Sequence, residues 1–348
     1  MSLGYFHRVT QETPTRFWIN NPSGADMERA IAAGAINCTT NPAYCSKLFK
    51  IDPDYIRGVI DNVIKETQDD DEAAIRVYQE AAARVMERFL PLYEQSSGGH
   101  GYVTMQDDPR IDEDPDAIIQ AALRNRALGQ NFMTKIPVIG SGLKALETCV
   151  EENIPICATE VFSIDQTIEM CELYRRATQK TGKHPPFYVT HITGIFDEYL
   201  GKVAQREGIE VAPEVLAQAG CAVARKEYRL LKERGYQTTM LGGGARGTHH
   251  FTELVGGDVH ITINWSTAQE IIEADGPIVS RIDVETPQPV LDELADKFVD
   301  FRKAFYAGSL PVEEFAEYGP VQLFRNAFLK GYYLLLAEIP ARRHAYAL

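Results

Sequence analysis

An alternation constrains this fold more than any other feature of the chain. Eight short runs of strand character are separated by longer segments of helical character: Phe17–Asn20, Ala35–Thr39, Gly101–Gln106, Gln130–Lys135, Ile154–Thr159, Phe187–His191, Gln237–Leu241 and Val259–Ile263. Most are rich in Val, Ile, Thr, Phe or Tyr and are bounded by Gly, Asn, Pro or Asp, the pattern of short strands. Between them, Asp71–Tyr93 sets Ile75, Tyr78, Ala82, Val85, Met86 and Phe89 near helical spacing, which predicts one buried stripe. Asp165–Thr178 and Ala212–Arg234 read alike. Such an alternation with eight strands predicts an α/β fold, a (β/α)8 TIM barrel, rather than an open sheet. The barrel is expected over about residues 15–265. The remaining stretch, Ser266–Leu348, is too long for one closing helix. Additional C-terminal helices, among them Leu291–Tyr306 and Val321–Ile339, are expected to cap or brace the barrel, the whole forming a single TIM-barrel domain over 1–348. Loops are expected at Ser96-Ser97-Gly98-Gly99-His100 and at Gly242-Gly243-Gly244.

Composition narrows the partners. An apolar fraction of 45% supplies a full core, and a net charge of −14 argues against a nucleic-acid backbone or an anionic membrane as partner. A small phosphorylated substrate stays compatible, because a local cluster of donors can hold one inside an acidic protein. The six cysteines form no CxxC pair, so neither a zinc site nor a disulfide scaffold is expected. Reduced thiols in the cytoplasm are the simplest reading. No apolar run reaches the ~20 residues that span a bilayer, and the first residues lack the basic and apolar regions of a secretory leader.

In a parallel α/β barrel, chemistry gathers at the C-terminal ends of the strands. Read in order, those ends give Asn20, Asn41 just past the second run, Gln106, Lys135, Thr159, Thr190 with His191, and the Gly242–Arg246 loop. Alone, a lysine closing a strand is explained by snorkelling to solvent. Among amides and hydroxyls at one mouth it acquires another reading. Desolvation lowers a lysine pKa, and a neutral amine attacks a carbonyl to form a Schiff base. Amides and hydroxyls suit the hydroxyls of a sugar, while Arg246 and glycine N–H groups such as that of Gly244 suit a phosphate. Taken singly, each amide is equally accounted for by a bond to a loop backbone.

The pieces in order resemble the transaldolase family, class I aldolase-type TIM barrels. Phe17-Trp18-Ile19-Asn20 resembles its first-strand motif, and Cys38-Thr39-Thr40-Asn41-Pro42 its second. Thr134-Lys135-Ile136-Pro137 with Gly142-Leu143-Lys144-Ala145 resembles the Schiff-base strand and its helix. Thr159, Phe162-Ser163 and Gln166 resemble the fifth strand and the helix start after it. Phe298–Gly319 resembles the C-terminal helices, so the likeness runs from about Thr15 to Gly331. It implies Lys135, Asn20, Gln106 and Thr159 at the catalytic positions, with Asn41, Thr40, Cys157, Thr190, His191, Gly244 and Arg246 toward the substrate. It also implies a sugar or sugar-phosphate substrate in carbohydrate metabolism of the pentose phosphate kind, no cofactor beyond the covalent Schiff base, and no metal.

Departures from the family pattern bear on chemistry. The first-strand motif ends in Asp in the family and in Asn20 here; a third-strand Glu is replaced by Gln106. Both changes are near-isosteric, and both remove a group able to exchange protons near neutral pH. Cys157 stands where the family usually has Asn. The family's phosphate-binding Ser and Arg near the sixth strand align with Thr190 and Ile195, so half of the cationic clamp is missing. Arg246 keeps the other half, and one charge-assisted contact is worth ~1.5–3 kcal/mol. His191 replaces a proline and, with an ordinary pKa of ~6.5, is either a substitute acid/base or a structural histidine. Tyr188 is read as core. His249 and His250 are adjacent, would point oppositely on a strand, and have no carboxylate at ligand spacing, so no metal is expected.

Three functions stay open on these residues. One is a transaldolase that transfers a three-carbon dihydroxyacetone unit from a ketose to an aldehyde. Another is an aldolase-type lyase or imine-forming enzyme on a different, non-phosphorylated carbonyl compound. The third is a non-catalytic sugar-phosphate-binding paralogue. The C-terminal region can serve as a brace or as the interface of a homo-oligomer.

Overall fold

The computed structural model describes residues 3–347. Its strands are β1 (Arg16–Asn20), β2 (Asn37–Thr39), β3 (Val103–Met105), β4 (Phe132–Pro137), β5 (Ile156–Val161), β6 (Phe187–Ile192), β7 (Thr239–Gly243) and β8 (Val259–Ile263). Each pairs in parallel with the next, and β8 returns to β1, closing the eight-stranded barrel. This is the (β/α)8 TIM barrel expected from the alternation, with further helices after β8. All eight runs are strands, with three shifts that matter. β2 stops at Thr39. β4 continues two residues past Lys135, with Pro137 paired to Thr159 and Val138 N–H donating to the Thr159 carbonyl at 2.8 Å, so the lysine lies inside its strand. β5 runs on to Val161 through a register shift between Ala158 and Val161.

Strand parity sorts the barrel interior from its outer wall. Trp18, Tyr102, Met133, Cys157, Tyr188 and Leu241 form a separate inner cluster that floors the mouth. The Trp18 indole can only donate, and it does so to His260 Nδ1 at 2.8 Å. Burial pushes the His260 pKa down to about 3, which keeps that ring neutral and able to accept. One strand step higher, toward the mouth, the inner face turns polar, with Asn20, Thr39, Lys135, Thr190 and Thr262.

The outer layer follows helical rules. Helix Asp70–Gln95 is capped by Asp69, whose carboxylate accepts from Asp71 N–H at 2.9 Å and Glu72 N–H at 3.0 Å. Its buried face comprises Ala73, Ala74, Val77, Tyr78, Ala81, Ala82, Val85, Met86 and Phe89. Ile75, expected in that stripe, is only partly buried, because the alanines let the helix sit closer and take the stripe over. An unanticipated helix, Tyr5–Glu12, precedes β1 and stacks Phe6 on Phe17 at 4.1 Å. The expected run Leu291–Tyr306 is broken at Phe298, whose extended backbone separates Gln288–Lys297 from Val299–Phe305.

Beyond β8 the chain returns to the mouth. Asp165, in the first turn of helix Ile164–Thr181, accepts from Gly308 N–H at 2.6 Å and Leu310 N–H at 2.8 Å and so pins the connecting loop. The last helix, Gly319–Ala347, then crosses the strand ends, with Phe324 lining the cavity there and Phe328 beside Lys135. It passes over Ala43 so closely that a Cβ on Gly331 would lie 2.5 Å from the Ala43 Cβ. Among the described residues, no helix is long and apolar enough to cross a membrane. Gly331→Leu would overfill the crossing with Ala43, and a destabilisation of about 1–3 kcal/mol is expected from overpacking. Urea unfolding measures it, and an unchanged midpoint would show that the crossing does not hold the helix in place.

Candidate active site at the barrel mouth

Every residue of β4 is buried, and alternation divides them. Phe132 and Ile136 pack in the outer core, whereas Met133 and Lys135 face inward. Lys135 is 6% exposed. Burial lowers its amine pKa below the ordinary lysine value, with partial opposition from the Cys157 thiol and the Glu160 carboxyl. Its Nζ lies 5.5 Å from the centre of the Phe328 ring. On the neighbouring strand, burial pushes the Cys157 thiol up, and Sγ sits 3.1 Å from Thr190 Oγ1.

Lys135 opens into a cavity of about 130 Å³, whose wall includes Asn20, Asn41, Thr190, Arg246 and Phe324. That is small beside the ~300–1,000 Å³ of drug-sized ligand sites, and suits a short hydroxylated chain. Two wider clefts, about 350 Å³ beside Tyr236 and about 700 Å³ beside Trp265, contain no lysine. Asn20 is held on both sides: its Oδ1 accepts from Thr39 Oγ1 at 2.9 Å, and its Nδ2 donates to Asn264 Oδ1 at 3.1 Å. Asn41 Oδ1 accepts from Ala43 N–H at 3.1 Å. Gly244 has φ +67°, and a Cβ there would meet Ile192 at 2.5 Å, so only bare backbone fits this part of the wall. Thr159 Oγ1 and Gln106 Oε1 are buried without a protein partner, so each has hydrogen-bonding capacity to spare.

Two residues expected at the mouth are not there. Thr40 follows the last residue of β2, and its hydroxyl turns outward to Tyr78 OH at 2.9 Å and the Thr104 carbonyl at 2.7 Å. His191 alternates with the inward Thr190 and therefore faces the helix Ala219–Glu233. There its Nε2 meets the Gly220 carbonyl at 3.1 Å, and its Nδ1 stands 3.1 Å from Glu227 Oε2, all fully buried. It is a structural histidine in the barrel wall.

One residue of the site was missed by reading strand ends. Glu160 has φ +61° inside the β5 register shift, a backbone cost on the order of 1–3 kcal/mol for a bulky side chain. The twist delivers its carboxyl to the inner side, where Oε1 accepts from Gln106 Nε2 at 3.1 Å. Burial raises its pKa to about 7, against the opposing pull of the Gln106 bond, Lys135 and Arg325. The only sequence signal was one charge in the apolar run Ile156-Cys157-Ala158-Thr159-Glu160-Val161.

A family model described as Transaldolase/Fructose-6-phosphate aldolase matches residues 17–307. The chain belongs to this family. Similar curated proteins named Transaldolase include that of Mycobacterium ulcerans, 26% identical over 224 residues, 61% of this chain and 58% of the relative. That of Mycobacterium tuberculosis is 25% identical over the same length and shares. That of Trichodesmium erythraeum is 28% identical over 177 residues, 45% of this chain and 47% of the relative. The chain thus spans about half to three-fifths of the length of the curated relatives it matches.

Within this family member, the rim of the cavity is less cationic than its arginine suggests. Arg246 donates from Nε to Glu198 Oε2 at 2.7 Å, and Ile195 lines the wall where a second cation would serve a phosphate. Behind the rim, His250 accepts from Arg246 N–H through Nδ1 at 3.2 Å and contacts Asp197 Oδ2 through Nε2 at 2.9 Å. His249 and His250 lie side by side, ring centres 3.8 Å apart, because they open a short helix rather than a strand. With Asp197 they cluster closely enough for a metal, yet both His250 nitrogens and Asp197 Oδ1, which accepts from Gly220 N–H at 2.7 Å, are already engaged. The group reads as a brace for the Arg246 loop.

The raised Glu160 pKa fixes a sign for stability. Because the folded carboxyl holds its proton to about 7 and the ordinary value is 4.5, its contribution is full below about 4.5 and is lost as pH rises toward about 7. Glu160→Gln cannot ionise. Its urea midpoint is expected to gain on the parent's between about pH 5 and about pH 8. A constant difference across that window would show that Glu160 titrates normally.

Proposed function

We propose that this protein is a transaldolase-type enzyme in which Lys135 forms a Schiff base with a ketose and passes a three-carbon dihydroxyacetone unit to an aldehyde acceptor. The observation that carries this reading is the buried Lys135 amine, its pKa lowered by desolvation, opening into a small cavity lined by amides and hydroxyls. A neutral amine adds to the ketose carbonyl, and loss of water leaves a cationic imine. The hydroxyl on the far side of the next carbon–carbon bond gives its proton to a solvent water and becomes the carbonyl of the first aldehyde, while that bond breaks and sends its electron pair into the imine, leaving an enamine. The enamine then adds to the acceptor, and hydrolysis frees Lys135. In this scheme Asn20 and Asn41 hold substrate hydroxyls, and Thr190, the Gly244 backbone and Arg246 meet the rest of the chain. Thr159 and Gln106 have unpartnered oxygens but do not line the cavity, and Cys157 lies in the buried floor beneath it. The six buried, unbridged cysteines suit a reducing compartment, and with it a cytoplasmic location.

A second reading concerns the substrate. The Arg246–Glu198 pair and the apolar Ile195 favour a carbonyl compound without a phosphate, since an arginine already neutralised by a carboxylate attracts an anion weakly. Borohydride trapping with dihydroxyacetone, fructose and fructose 6-phosphate, read by peptide mass spectrometry, separates these readings. A sugar adduct on Lys135 is expected, and Lys135→Met should abolish it while leaving the fold intact; an adduct elsewhere would refute the assignment. No adduct with any of these sugars would favour a binder without the chemistry.

Asn20→Asp restores a carboxylate beside Thr39 and the lysine cavity. Because a positioned acid/base is worth ~100-fold or more, ketose cleavage is expected to rise by roughly tenfold or more. A steady-state assay with no gain would remove Asn20 from the proton-transfer position.

A further inference from the structure

We infer that Glu160 is the acid/base group of this site, giving a proton to the departing hydroxyl as the imine forms on Lys135 and recovering it when the imine is hydrolysed. The inference rests on the Schiff-base reading of Lys135 and adds to it the proton carrier that Asn20 and Gln106 cannot be. Three independent features point to Glu160. Its backbone is left-handed, a conformation that a glutamate rarely adopts and that places its carboxyl against inward-facing Gln106. It sits on β5, the strand hydrogen-bonded to the one carrying Lys135. Its proton is held to about 7, so both forms exist near neutral pH.

The charged and titratable groups around it are few. Lys135 acts on it from β4 and Arg325 from the C-terminal helix. Asp112, in the segment after β3, is 3.8 Å from Arg325, and burial raises its pKa, with Glu160 adding to the effect. Gln106 from β3 is neutral. Asp112 is thus occupied with Arg325, and Glu160 is the carboxyl hydrogen-bonded to a residue of the proposed site.

The step balances without any further reactant. Lys135 adds to the carbonyl, giving a neutral carbinolamine. The Glu160 carboxyl passes its proton to the carbinolamine hydroxyl, directly or across one solvent water. The carbon–oxygen bond breaks, water leaves, and the nitrogen lone pair becomes the second carbon–nitrogen bond. A neutral pair becomes an iminium–carboxylate pair, whose attraction is strong in a buried site. Hydrolysis runs the same steps backward.

The test is the pre-steady-state rate of Lys135 adduct formation with dihydroxyacetone, trapped with borohydride and quantified by intact mass from about pH 5 to about pH 9. In the parent, the rate is expected to show an ionisation near the Glu160 value of about 7 through which it falls as pH rises, opposite in sign to the gain that deprotonation of Lys135 gives. Glu160→Gln should form the adduct at the same lysine about 100-fold more slowly, without that ionisation and with its unfolding transition kept. A rate within about threefold of the parent's, or a fall through about pH 7 that persists, overturns the assignment. Should the variant not fold, the parent profile decides, and a flat profile around neutral pH overturns it equally. Absence of any Lys135 adduct in the parent refutes the Schiff-base reading itself, a result distinct from an adduct whose rate ignores Glu160.

Discussion

Placing the Lys135 amine on the inner face of β4 obliges everything around it to exclude water without burying an unpaired charge. An ammonium there would lose its hydration, so burial favours the neutral form, which is the nucleophile of the proposed scheme. The floor of Trp18, Met133, Cys157 and Leu241 keeps solvent from below. That floor needs the Trp18–His260 bond, since an unsatisfied indole N–H in the barrel would cost about as much as the burial of its ring gains. The amine is thus set by the packing of the layer beneath it as much as by its own strand.

Its roof is non-local. Phe324 and Phe328 come from the C-terminal helix, some two hundred residues after β4, and without them the mouth would open to bulk water. The helix is held by charge at several points: Arg325 pairs with Glu113 at 2.6 Å, Arg343 with Asp70 at 2.7 Å, and Arg342 with Asp61 at 2.8 Å. Partly exposed pairs of this kind are individually worth on the order of 1 kcal/mol or less. They select where the helix lies, while burial of Phe328, Tyr332, Leu335 and Ile339 supplies the stabilisation. The expected brace is therefore also a wall of the cavity.

Periodicity made the barrel legible because each strand is short, apolar and bounded, and the inward parity of Asn20, Lys135, Thr159 and Thr190 follows from the same rule. Parity also explains two failures. Where Thr39 and Thr190 face in, the next residue faces out, so Thr40 and His191 belong to the wall. Glu160 breaks parity the other way. A regular strand would turn it outward, and only its left-handed backbone brings it in, a conformation that a single sequence does not advertise for glutamate. The pairing of Arg246 with Glu198 escaped notice because it joins loop and helix across 48 residues. The side-by-side histidines required a helical turn where a strand had been assumed.

Amides at positions 20 and 106 and a carboxyl at position 160 are one electrostatic arrangement rather than three substitutions. A carboxylate at either amide position would raise the Lys135 pKa, even where it served cleavage as a proton acceptor. Replacing both by amides keeps hydrogen-bonding shape while removing that anionic field. In the proposed scheme the difficulty then moves to the imine, which is cationic and has no counter-charge at those positions. A carboxyl that is neutral beside a neutral amine and anionic beside an iminium answers it, because its own pKa, about 7, lies close to where the site must switch. Glu160 acquires that value from burial, and the neutral Gln106 holds its carboxyl in place.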